Sequence, residues 1–161
     1  KRINDKKLKI DENSILIIRG CGPVGYPGSA EVVNMQPPDR LLKKGITHLP
    51  TLGDGRQSGT SESPSILHVS PESAVGGDLG IVKTGDKMKI DLNKRRVDLL
   101  ISQLEFKKRR KNKKLFKANN QTPWQEIFRD TVGQLEDGAC INSRGNYLDI
   151  SNKKGLPRNS H

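Results

Sequence analysis

Ser14-Ile15-Leu16-Ile17-Ile18-Arg19-Gly20-Cys21-Gly22-Pro23-Val24-Gly25-Tyr26-Pro27-Gly28 is the stretch on which the fold turns. Ile15 to Ile18 is the longest apolar run in the chain. Its length suits a short buried strand and falls far below a membrane span. It runs straight into four glycines and two prolines within ten residues, a composition that forbids a regular element. A glycine loop of this kind lets backbone N–H groups approach a ligand closely. A strand feeding a polar loop is the unit from which sheet-based ligand sites are built.

Downstream, Ser29 is an acceptable N-cap for a helix that Pro37-Pro38 interrupts. A second helical piece, 39–44, ends at Gly45, a natural C-cap position. His48 to Leu52 reads as a strand, followed by a second polar loop, Gly53-Asp54-Gly55-Arg56-Gln57-Ser58-Gly59-Thr60-Ser61. Residues 65–70 return as a strand and 71–75 as a helical turn closed by Gly76-Gly77. Strands are expected at 79–82 and 87–92. Met88, Ile90, Leu92 and Val97, Leu99, Ile101 alternate about Asn93-Lys94, a hairpin pattern. Ser102-Gln103-Leu104-Glu105 is a capping box that opens a basic helix, and Thr122-Pro123 opens another with proline at its first position. The fold class is therefore α/β. Residues 1–13 form a polar lead-in, 14–102 a compact strand-rich domain, and 103–161 a helical extension with an irregular tail.

Composition narrows the class of protein. Hydrophobic residues make up 32% of the 161 residues and the net charge is +11. A chain so poor in apolar residues has a long solvated segment or leans on another domain. The amino terminus has neither a signal-type apolar stretch nor an initiating Met, which reads as a fragment. Two cysteines, Cys21 and Cys140, are too few for a disulfide framework or a four-ligand zinc or iron–sulfur site. A cytoplasmic protein with reduced thiols and no membrane association is expected. Nearly all the excess charge lies between Lys83 and Lys117, with 14 Lys/Arg against 4 Asp/Glu. The run Lys107 to Lys114 has no interleaved aromatics and no nucleic-acid signature around it, so a solvated helix face is the expectation.

Several residues could carry chemistry. Glu31, just past the first loop, offers a hard oxygen ligand to Mg²⁺, or else simply favours a helix dipole. Ser58, near Arg56 and Asp54, could serve as a base or nucleophile, or be a turn residue. Arg56 and Thr60 stand where a nucleophile elbow needs glycine, which excludes that motif. Gly20-x-Gly22-x-x-Gly25 has dinucleotide-loop spacing, but Pro23 and Pro27 interrupt where the helix should begin. His48 and His68, in apolar contexts, are expected to be packed histidines.

Gly22-Pro23-Val24-Gly25-Tyr26-Pro27-Gly28-Ser29-Ala30-Glu31, Asn34-Met35-Gln36-Pro37-Pro38 and Gly53-Asp54-Gly55-Arg56-Gln57-Ser58-Gly59-Thr60 together resemble the dihydroxy-acid and sugar-acid dehydratase family. Ser70-Pro71-Glu72-Ser73-Ala74-Val75-Gly76-Gly77, Lys83-Thr84-Gly85-Asp86 and Thr122-Pro123-Trp124-Gln125-Glu126 extend the likeness, which reaches the ending Gly155 to His161. Gln57, Thr60 and the terminal His161 look more like the pentonate (arabinonate or xylonate) branch. Ser29 departs from the pattern, since many relatives have Met there.

The resemblance implies a carboxy-terminal domain of swivelling β-barrel type that closes an active site built mainly by an amino-terminal domain. That other domain would hold a [2Fe–2S] cluster and further Mg²⁺ ligands, with no cluster ligand in this chain. Here Glu31 would be the Mg²⁺ ligand, Ser58 the alkoxide base that takes the C2 proton, and Thr60 a lining residue. Arg56 and His161 would contact substrate. The reaction would convert a sugar acid or dihydroxy acid to a 2-keto-3-deoxy acid in a dimer or tetramer. The competing expectation is a non-enzymatic basic domain that binds nucleic acid or a protein partner through Lys107 to Lys114, or an inactive remnant.

Overall fold

A computed structural model describes residues 2–27, 31–32, 35–57, 62–114 and 122–141. Among them the chain forms seven short strands and three helices. The strands are β1 (Leu16–Ile18), β2 (Glu31–Val32), β3 (Thr51–Gly53), β4 (Arg56–Gln57), β5 (Ser65–Ile66), β6 (Met88–Asp91) and β7 (Arg96–Leu99). The helices are α1 (Asp39–Leu42), α2 (Gln103–Lys111) and α3 (Pro123–Thr131). Single 3-10 turns lie at Arg2–Asn4, Ser73–Val75, Asp78–Ile81 and Leu135–Asp137. The result is a small mixed α/β domain.

β1, β3 and β5 form a parallel sheet with β3 in the centre, Leu16 opposite Thr51 and Thr51 opposite Ser65. All three residues of β3 are buried, as a strand covered on both faces requires. Leu16, Leu41 and Leu49 form the core cluster, against which Ile3, Ile10, Met35 and Ile46 pack. The lead-in is thus docked on the domain. The Arg40 guanidinium also donates to the carbonyls of Leu8 and Ile10, and Asn4 caps the Asp39 N–H.

The hairpin forms in the expected register: Met88 pairs with Leu99 and Ile90 with Val97. Both downstream helices start at the expected caps. Ser102 Oγ accepts from the Glu105 N–H at 3.2 Å, and Thr122 and Gln125 make a reciprocal capping box.

Three expectations need correction. The helix expected near Ser29 is not what Glu31 and Val32 adopt: they pair in parallel with Arg56 and Gln57 as a two-stranded ladder. Where a strand was expected at 79–82, Asp78–Ile81 is a 3-10 turn. Its carbonyls find side-chain cations instead of a neighbouring strand, because Arg19 donates to Gly80 O at 3.1 Å and Val82 O at 2.7 Å. Lastly, neither histidine is packed. His48 is exposed and pairs with Glu62 at 3.0 Å, while exposed His68 sits in a left-handed turn at φ 56°.

Candidate active site

The glycine loop is held from within. Asp54 follows β3 and is fully buried. Its carboxylate accepts from the Gly20 N–H (3.0 Å), the Cys21 N–H (3.0 Å), the Ser73 N–H (2.9 Å) and the Ser73 hydroxyl (2.5 Å). Glu72, also fully buried, accepts from the N–H groups of Val24 and Gly25, both at 2.8 Å, and from the Gln134 amide at 3.0 Å. Buried carboxylates persist only when their oxygens are satisfied in this way.

The expectation that this loop offers its N–H groups to a ligand is therefore corrected for these four residues. Their donors are already taken by two side chains of the same domain. Sequence reasoning passed over both anchors. The signal available was an acid set beside glycine or proline in an apolar setting, at Gly53-Asp54-Gly55 and Pro71-Glu72.

The clamp leaves no room at certain glycines. A Cβ on Gly22 would collide with the Glu72 carboxylate, and one on Gly55 would stand 2.7 Å from the Cys21 Cβ. The two glycine-bearing segments thus meet closely where Gly55 faces Cys21. The first loop precedes β2 with Glu31, and the stretch expected as the second loop contains β4 with Arg56.

Glu31 and Arg56 are register partners, and Val32 pairs with Gln57, one residue before Ser58. Both Glu31 and Arg56 are exposed. Ser58, Thr60 and His161 lie outside the described residues. The structure thus brings Glu31 and Arg56 together at the mouth of the second loop.

An exposed carboxylate on a clamped strand is a hard oxygen donor suited to Mg²⁺. It fits as one ligand among several, because among the described residues no group of three or more His, Cys, Asp or Glu side chains is placed to hold a metal. The cysteines fit an iron–sulfur cluster poorly. Burial and the nearby Asp54 push the Cys21 thiol up, which favours the protonated form over the thiolate a cluster needs. Cys140 is exposed.

The basic helix departs from a purely solvated face. Arg109 donates to Asp86 at 2.5 and 3.1 Å and to Glu105 at 2.7 Å. Lys113 donates to the carbonyls of Gly76 and of Gly77, the latter at 2.8 Å. The Arg109 hydrogen bond, above all other influences, holds the Asp86 and Glu105 carboxyls below their ordinary range, and burial lowers that of the Lys113 ammonium. A cleft of about 710 Å³ opens between α2 and Arg19-Gly20. Three of the cations that line it, Arg19, Arg109 and Lys113, are already bonded to carbonyls or carboxylates. Within the run, Arg109 and Lys113 are thus engaged by the domain, while Lys107, Lys108, Arg110, Lys111 and Lys114 are exposed, as a solvated face has them.

The sequence profile of the family described as dihydroxy-acid/6-phosphogluconate dehydratase, C-terminal, matches residues 1–139. The chain belongs to this family. Over all 161 residues it is 55% identical to a D-xylonate dehydratase of Caulobacter vibrioides, covering 27% of that protein. It is 50% identical over 108 residues to an L-arabinonate dehydratase of Rhizobium leguminosarum, a match of 67% of this chain and 19% of the relative. A dihydroxy-acid dehydratase of Thermodesulfovibrio yellowstonii is 39% identical over 142 residues, 88% of this chain and 25% of the relative. The two pentonate enzymes are thus the more similar, as Gln57, Thr60 and the ending suggested. The chain spans about a quarter of the length of these curated relatives.

Proposed function

We propose that this chain is the carboxy-terminal part of a hydro-lyase that dehydrates a sugar acid, of pentonate type, or a dihydroxy acid to a 2-keto-3-deoxy acid. One observation carries the reading. The parallel pairing of Glu31–Val32 with Arg56–Gln57 sets an exposed carboxylate beside the strand that leads directly into Ser58. In this proposal the domain is the swivelling β-barrel that closes over a site whose remainder an amino-terminal domain supplies. The complete enzyme is cytoplasmic and a dimer or tetramer.

Glu31 would hold Mg²⁺ together with ligands from outside this chain, and the bound cation supplies positive charge for the carboxylate oxygens of the substrate. Arg56 and His161 orient that carboxylate. Ser58 takes the C2 proton, for which its hydroxyl must be deprotonated with help from nearby positive charge. Thr60 lines the same pocket. The C2–H electron pair forms the C2–C3 double bond as the C3 hydroxyl leaves with its own pair. The enol then takes a proton at C3 and becomes the 2-keto-3-deoxy acid, with water lost in sum. A [2Fe–2S] cluster has no suitable ligand set in this chain, so no step here is assigned to it.

In the complete enzyme, Ser58→Ala should lower turnover of a pentonate by roughly 10²–10⁴-fold with Mg²⁺ affinity unchanged. Glu31→Gln should weaken Mg²⁺ binding on the order of tenfold, since an amide is the poorer ligand for a hard dication. Steady-state kinetics with Mg²⁺ titration separates the two. Near-normal turnover in Ser58→Ala removes that residue from the mechanism, and unchanged Mg²⁺ affinity in Glu31→Gln removes the metal role.

A further inference from the structure

Helix α3 turns only part of its apolar face to the domain. It is strongly amphipathic, with Trp124, Ile127 and Phe128 at i, i+3 and i+4, yet it buries none of its side chains fully. A surface helix ordinarily turns such a stripe to the core. Here polar groups make the attachment: Arg129 donates to Val24 O at 2.9 Å, and Gln134, just beyond the helix, bonds to buried Glu72. Phe128 is partly buried, whereas the rest of the stripe is left outward, with Trp124 79% exposed and Ile127 54% exposed. Ile141, bridged to Val132 at the end of the same helix, is 61% exposed.

Exposed apolar side chains occur elsewhere too, Leu92 and Leu104 among them, but here an indole and an isoleucine one helical turn apart form a face rimmed by charge, the mark of an interaction site. We propose that this face of α3 is the docking surface for the amino-terminal domain of the dehydratase. Two observations select that occupant. In the Caulobacter relative, 161 aligned residues account for only 27% of the polypeptide, so about three quarters of it remains to cover this domain. Around the stripe itself Glu126 and Asp130 are exposed, an acidic rim on a basic chain that favours a partner surface carrying Lys or Arg. The proposal rests on family membership and relative length. It does not depend on the roles given to Glu31 and Ser58.

Trp124 is the chain's single tryptophan and so a direct reporter. The 161-residue chain is labelled with 5-fluorotryptophan, and the separately expressed amino-terminal portion of the Caulobacter D-xylonate dehydratase is added unlabelled. Free chain should give one fluorine resonance with the H₂O-to-D₂O shift of an exposed indole. That solvent shift should disappear in the complex, and Ile127→Asp should weaken association roughly tenfold or more without changing the thermal transition of the free chain. Four outcomes overturn the proposal: no complex by sedimentation, a complex whose indole stays solvent-sensitive, a free-chain indole already protected in a concentration-dependent way, or protection that removal of residues 142–161 abolishes. The last two would assign the face to a second copy and to the chain's own tail.

Discussion

Four donors converge on the carboxylate of Asp54, and two of them are the backbone N–H groups of Gly20 and Cys21. Asp54→Asn keeps the shape but turns one oxygen into an NH₂ group that must face an N–H donor. The expected cost is about 1–3 kcal/mol for the orphaned donor, read as a lower urea midpoint. If the clamp positions the strands carrying Glu31 and Arg56, the same change in the complete enzyme raises KM for the acid as well. The two thiols give an independent check at this scale. Cys21 is half-buried with its thiol pushed up by burial and Asp54, whereas Cys140 is exposed. Iodoacetamide at mildly alkaline pH should therefore alkylate Cys140 several-fold faster, as peptide mass spectrometry would show; equal rates would mean that Cys21 is open to solvent. The string that carries Glu31 is local and could be read as a motif. Asp54 and Glu72 were not legible, since their importance lies in donors 19 to 62 residues away.

At the scale of elements, α2 acts as a strap across the 76–86 segment. Arg109 and Lys113 reach from one helix to Asp86 and to the Gly76 and Gly77 carbonyls. The Asp86 carboxyl is held below its ordinary range when folded, first by the Arg109 hydrogen bond. A depressed folded pKa means that the pair stabilises fully above the unfolded value of about 3.9. The contribution is lost as pH falls through the folded value. Arg109→Ala should accordingly lower the urea midpoint at pH 7, and the gap to the unsubstituted chain should close as the pH drops below about 4. A gap that persists undiminished in acid would mean that Arg109 acts through packing alone. The starts of α2 and α3 were readable because Ser102 and Thr122 satisfy N–H groups three residues on. The turn at Asp78–Ile81 was not. Leu79 and Ile81 alternate like a strand, and the interaction that decides against one is distant: Arg19 takes the carbonyls of Gly80 and Val82. Helix α2 likewise reads as charge alone until Asp86 and Glu105 are seen to absorb Arg109.

For the whole molecule the question is how much of an active site a chain spanning about a quarter of its dehydratase relatives can contain. The core gathers around a few leucines, and the polar anchoring of the two glycine loops leaves the Glu31 carboxylate exposed at the site. Protein-held [2Fe–2S] clusters are ligated mainly by cysteine thiolates, and the resemblance implies three of them. The chain has two cysteines, of which Cys21 is biased toward its protonated form. His48 and His68 are the imidazole donors among the described residues, and His48 is engaged with Glu62. Anaerobic reconstitution of the 161-residue chain with iron and sulfide should therefore leave no stoichiometric cluster absorbance after desalting. Mg²⁺, offered Glu31 without companion carboxylates, should bind no tighter than about 1 mM in a calorimetric titration. Joining the chain to an amino-terminal dehydratase domain should restore both, and Glu31→Gln in that assembly should reduce Mg²⁺ affinity while sparing the cluster. A stoichiometric cluster on the isolated chain, or tight Mg²⁺ binding to it, would place the cofactor ligands here and overturn the division of the site between two domains.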